Sequence, residues 1–179
     1  MIVPGITKVT PLNFENYPLS HSLFSVLIWG LLFGGIYFLM QRYPKGAIVL
    51  GFGVVSHWFL DLIVHRPDLP LFFGESPYVG FGLWNSPVGT LLVEGSLFCA
   101  GVFVYMHTTY AKDRIGTWAF WSLVGFLVIV YIGNFVGPVP PSVQAIAWVG
   151  NAQWILIAWA YWVDRHRSVN NHTTADIGG

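Results

Sequence analysis

The sequence predicts an all-α integral membrane protein: a bundle of about five transmembrane helices, N-terminus outside and C-terminus cytoplasmic. Three observations carry this. Hydrophobic residues fill 55% of the 179 positions and charged ones only 9%, with a mean hydropathy of +0.62; soluble domains average about 25% charged. Apolar runs of roughly 20 residues recur, each long enough at ~1.5 Å per residue to cross ~30 Å of hydrocarbon. Finally, the basic residues are lopsided. Arg42, Lys45, Lys112, Arg114, Arg165 and Arg167 fall on one side of a five-span chain and only Lys8 and Arg66 on the other, which makes the first side cytoplasmic.

Residues 1–18 are rich in proline and polar groups and read as an extended segment outside the membrane. No charged n-region followed by an apolar h-region is present, so no cleavable signal peptide is expected. The first span covers 19–40, with Ser20 as its N-cap and His21 directly after it. Gly30 and Gly34 form a GxxxG pair, a face for close helix packing. The second span covers 46–65, and Pro67 ends it because the residue before a proline avoids helical geometry. Residues 66–88 hold four prolines and five aromatic residues, and read as an interfacial loop that either covers a site or forms an aromatic belt.

The third span, 87–106, carries Glu94. The fourth is 115–135, and GPVPP at 137–141 breaks the chain before the fifth, 143–163, which carries Asn151 and Gln153. Both amides read as interhelical hydrogen bonders rather than ligands. The tail from 166 is polar and reads as frayed cytoplasmic chain, with His107, His166 and His172 solvated on that side. One transmembrane domain over 19–165 accounts for the chain. Cys99 stands alone, which rules out an intramolecular disulfide and a thiolate metal cluster. Zero formal charge argues against a nucleic-acid partner. Membrane lipids are the expected partners, and a homo-oligomer or a partner membrane protein stays open.

The most informative stretch is VVSHWFLDLIVHRPDLP at 54–70. His57, Asp61 and His65 follow at i, i+4 and i+8, which stacks them on one helix face. Titratable groups on an apolar helix are costly to bury unless they meet partners, a metal or water. Counting helical rise from the outer ends of the spans puts Asp61 ~6 Å, Glu94 ~10 Å, and His57 and Asn151 ~12 Å below the boundary. His21, His65 and Asn134 fall near the outer surface. That shared depth points to one site opening outward.

The expected site is a divalent metal, zinc first, held by His57, Asp61 and Glu94, with His21 or His65 completing the sphere. Three protein ligands plus water is the catalytic zinc arrangement. Asp61 or Glu94 would then act as general base. The alternatives are a hydrogen-bonded seam in a non-catalytic subunit or scaffold, or an ion or proton pathway through the same residues.

With SHS at 20–22 and HWFLDLIVHRPDLPL at 57–71, the chain resembles the membrane-bound metal-dependent hydrolases, the YdjM-like, LexA-regulated inner-membrane family. Ser20, His21 and Ser22 match a THS-like start to a span. His57, Leu60, Asp61 and His65 match a helix reading H-x-x-L-D-x-x-T-H, with Val64 where threonine is usual. The resemblance covers roughly residues 18–75. It implies a bacterial inner-membrane enzyme and metal-dependent hydrolysis; a site at the outer membrane–water interface would act on a lipid or another amphiphile. Members commonly carry a further N-terminal hydrophobic segment with a His or Asp. This chain begins where that segment would already have ended, so either its start lies downstream of the natural one, with a ligand and a span left out, or this member lacks a helix.

Overall fold

A computed structural model describes residues 1–14 and 17–170. Its elements run α1 (Pro18–His21), α2 (Leu23–Gln41), α3 (Pro44–Val64), β1 (Leu69–Pro70), β2 (Tyr78–Val79), a 3₁₀ turn (Leu83–Asn85), α4 (Pro87–Thr108), β3 (Thr109–Ala111), α5 (Arg114–Val136), α6 (Val143–Arg165) and β4 (Arg167–Val169). Among the described residues four helices, α2 to α5, are long and apolar enough to cross a membrane. They expose large apolar side chains such as Leu31, Val49, Leu92 and Ile129, as suits helices surrounded by lipid. α6 equals α5 in length at 23 residues, but Asn151, Gln153, Asp164 and Arg165 make it more polar. The all-α expectation holds, with two short antiparallel pairings added, β1–β2 and β3–β4. The chain forms two compact units, one of Val3–Thr90 with Met1 and the other of Leu91 onward with Ile2.

In the first unit the N-terminal segment folds back on itself instead of running extended. Gly5 takes φ +82°, the Val3 N–H donates to the Pro11 carbonyl at 2.7 Å and the Asn13 N–H to the Met1 carbonyl at 2.8 Å. The first span also starts later than expected. Pro18 opens a single helical turn, and Ser22 then leaves helical geometry at ψ 144°. Ser22, not Ser20, caps α2, its side chain accepting from the Ser25 N–H at 3.2 Å. The GxxxG face is used within the unit. A Cβ built at Gly34 would lie 2.8 Å from the Ala47 carbonyl oxygen, and one at Gly30 the same distance from Val55. Glycine therefore sets how closely α2 and α3 approach.

The α3 helix ends at Val64, and His65 is already extended at ψ 145°. The connection that follows satisfies carbonyls the helix end leaves open. The Phe81 N–H donates to Leu62 (2.8 Å) and the Gly82 N–H to His65 (2.6 Å). Gly80 lies so close to the Arg66 and His65 carbonyl oxygens that a Cβ has no room there. Val26, Trp58 and Leu69 form the buried core under this loop, with Tyr17, Leu23 and Val55 packed around it.

In the second unit Ala119, Phe120 and Val163 are the buried core, and the Trp159 indole N–H reaches the Ala119 carbonyl at 3.1 Å. The start of the tail is not frayed. Arg167–Val169 pairs with Thr109–Ala111, and Arg167 stacks over Tyr105 and Phe120. His166, expected to be merely solvated, bonds Asp113 at 2.7 Å. Asn151 bonds the Ala147 carbonyl of its own helix at 2.9 Å, where an interhelical partner was expected. His172 and the rest of the tail, 171–179, lie outside the described residues.

Candidate metal centre

His57 and Asp61 stand one turn apart on α3, and the turn of α1 delivers His21 to them. Single donor atoms from the three residues lie within 4.8 Å of one another. His21 Nε2 is 3.7 Å from Asp61 Oδ2, and the His21 and His57 rings meet edge to face at 5.5 Å. Zinc sitting ~2.1 Å from each of three tetrahedral donors would hold them ~3.4 Å apart, so closing the group needs only small side-chain movements.

Hydrogen bonds fix which ring nitrogen each histidine presents. His57 Nδ1 is 2.7 Å from the Val54 carbonyl oxygen, which can only accept, so Nδ1 carries the proton. His21 Nδ1 is 2.8 Å from Ser20 Oγ, and that hydroxyl in turn donates to the Tyr17 carbonyl at 3.3 Å. Ser20 therefore accepts the His21 Nδ1–H. Both imidazoles are left with a bare Nε2 lone pair, the form that ligates metals. Burial pushes the His21 pKa below the ordinary histidine value, with Asp61 opposing and His57 and His65 adding to the depression. His21 precedes α2, and its neutral form is the favoured one.

Asp61 Oδ2 is buried and accepts no hydrogen bond. A carboxylate oxygen facing a nitrogen lone pair at 3.7 Å is repulsive unless a cation lies between them, and a buried carboxylate oxygen without a partner is unfavourable. The donor set, two neutral imidazoles and one carboxylate, fits zinc. The side chains of His21 and Asp61 are 34% and 22% exposed, so the group is not sealed off.

His65 does not join this group. Because α3 ends at Val64, the i+8 position leaves the helical stripe, and His65 Nδ1 bonds Asp68 Oδ1 at 2.9 Å. The ring is buried against Phe14 and Trp84. Arg66 Nε donates to Asp68 Oδ2 at 2.9 Å, and Arg66 also bonds the Asn13 side chain. The Tyr17 hydroxyl donates to the Asp68 carbonyl at 3.0 Å, and burial raises its pKa far above the usual phenol, Asp68 and Asp61 adding to the rise. Glu94 lies on α4 in the second unit, beside the Tyr131 hydroxyl.

Sequence reasoning missed Ser20 as the partner of His21, the Val54 carbonyl as the partner of His57, and Asp68. The i, i+3 spacing of His65 and Asp68 was the one available signal. The fold and this donor group define a helical membrane-protein architecture with a three-residue metal-capable cluster. No family model, curated protein or solved structure matches the chain.

Proposed function

We propose that this protein is a zinc-dependent hydrolase of the inner membrane, with His21, His57 and Asp61 as ligands and a lipid or other amphiphile as substrate. The buried Asp61 Oδ2, facing the bare Nε2 of His21, is the observation that carries the reading. Zinc bound there would lower the pKa of a coordinated water toward ~7. Ser20 and the Val54 carbonyl hold the two imidazoles in the ligating tautomer. The exposed edges of His21 and Asp61 admit the substrate. Phe24, Phe72 and Phe73 form an exposed aromatic cluster where the chain enters α2, a placement suited to apolar tails at the membrane interface.

Two further statements belong to the same proposal. α6 is a fifth span, and the 6:2 split of basic residues puts the turns after α2 and α4 and the C-terminus in the cytoplasm. His21, His57 and Asp61 then open outward. A purified chain loaded with zinc should hydrolyse a fluorogenic ester or phosphoester amphiphile, and His57→Ala should lower turnover at least a hundredfold. Turnover equal in wild type and His57→Ala would remove the enzymatic reading. A cysteine at Ser76 labelled from outside, with one at Ser168 protected, supports the orientation; the reverse pattern overturns it.

A further inference from the structure

The β1–β2 hairpin meets α2 where that helix enters the membrane. At ~1.5 Å per residue, the 19 residues of Leu23–Gln41 span about 28 Å, against ~30 Å of hydrocarbon. The helix has no length to spare, so Phe24, next to its first residue, lies at the hydrocarbon boundary. The Phe24 ring lies 6.4 Å from that of Phe72 and 5.8 Å from that of Phe73, which puts both hairpin rings at the same level. All three are exposed. Leu27, Ile28 and Leu31 continue the Phe24 face along α2 and are exposed too. The hairpin rings therefore extend an apolar surface that a membrane-crossing helix turns toward lipid.

The hairpin is held in this position. Leu69 is buried beside Val26 and Trp58, Leu69 and Pro70 pair with Val79 and Tyr78, and the Phe24 N–H donates to the Leu71 carbonyl at 3.1 Å. A lid swinging clear of α2 would break that bond. Backbone donors are costly near hydrocarbon unless the protein itself satisfies them. The tip meets that condition with one hydroxyl: Ser76 Oγ accepts from the Leu71 N–H at 3.0 Å and from the Phe72 N–H at 2.9 Å. Glu75 is the only charged residue from 69 to 80, and a carboxylate belongs in the headgroup layer. We propose that this hairpin is a membrane anchor, with Phe72 and Phe73 seated among the acyl chains of the leaflet where α2 begins and Glu75 among the headgroups. The proposal rests on α2 crossing the membrane and is independent of any metal at His21.

Nitroxide labels on the full chain in phosphatidylcholine nanodiscs test this, with Cys99→Ser removing the native exposed thiol. Labels at Phe72→Cys and at Phe73→Cys should collide with oxygen, which concentrates among acyl chains, in preference to a water-soluble nickel chelate. A label at Glu75→Cys should prefer the nickel chelate, its oxygen-to-nickel ratio at least threefold lower. Melting temperatures should stay those of the Cys99→Ser parent, because all three replaced side chains are exposed. Nickel-preferring labels at 72 and 73, or a ratio at 73 no higher than at 75, would overturn the proposal. So would labels at 72 and 73 shielded from both reagents, because protein and not lipid would then cover the rings.

Discussion

Replacing Gly34 by alanine should separate α2 from α3. The new Cβ would sit 2.8 Å from the Ala47 carbonyl oxygen, whereas ordinary contact begins at 3.4 Å. The difference, 3.4 − 2.8, is about 0.6 Å. That oxygen belongs to the helix backbone and cannot swing aside, so the helices must part by a comparable amount. A gap of 0.5–1 Å forfeits roughly a quarter to a half of each dispersion contact along the seam. Overpacking of this kind costs about 1–3 kcal/mol. Gly35→Ala is the internal control, since a Cβ there meets nothing within 4 Å and both variants share the same gain in helix propensity. Thermal melts in one detergent should rank Gly34→Ala below Gly35→Ala by that margin. Zinc affinity should fall with it, because His21 precedes α2 while His57 and Asp61 ride on α3. Equal melting temperatures for the two alanine variants would refute the packing argument.

Three further outcomes are expected. Ser20→Ala removes the acceptor for His21 Nδ1–H, and zinc affinity should drop roughly 10–100-fold with the fold intact; unchanged affinity in a zinc titration would show that Ser20 does not position the ring. Asp68→Ala leaves the buried Nδ1 of His65 unpaired and should cost about 1–3 kcal/mol in a melt, while zinc stoichiometry, read by metal analysis, stays that of wild type. The His166 hydrogen bond, joined by the Gly116 N–H, holds the Asp113 carboxyl below the ordinary range. A depressed carboxylate stabilises the fold above its unfolded pKa of about 3.9. That contribution is lost as pH falls through the lower folded value, so melts between pH 5 and pH 3 should decline more steeply for wild type than for Asp113→Asn.

Much of the helical framework is legible because hydrophobic run length and proline position act locally. Pro18, Pro44 and Pro87 each open a helix, and the boundaries expected for the third, fourth and fifth spans fall within two residues of α4, α5 and α6. The pairing of His57 with Asp61 is equally local, since i, i+4 positions meet on any helix. His65 failed the same rule because helix termination depends on the whole turn His65–Pro67, and one residue of extended backbone swings its side chain to Asp68. Nor could spacing bring His21 to Asp61, 40 positions on; that contact needs α1 to break at Ser22 and glycines to let α2 close on α3. The folded N-terminal segment and the β3–β4 pairing rest on backbone bonds between distant residues, for which the sequence holds no periodic signal.

Asp61→Asn tests most directly whether a zinc ion joins His21, His57 and Asp61. The change keeps volume but removes the charge on the orphaned oxygen. Zinc binding should be measured by competition with a chromogenic chelator, and wild type and variant melted with and without chelator. Wild type should bind one zinc per chain, and the variant at least a hundredfold more weakly. A ligand at a hundredfold excess over Kd stabilises the folded state by about 2.7 kcal/mol, so chelator should lower the wild-type melting temperature and leave the variant's unchanged. A structural polar seam predicts the opposite, because a neutral amide is cheaper to bury than a carboxylate. Wild-type protein that binds no zinc, melts alike with and without chelator, and is matched or exceeded in stability by Asp61→Asn would contradict the metal centre.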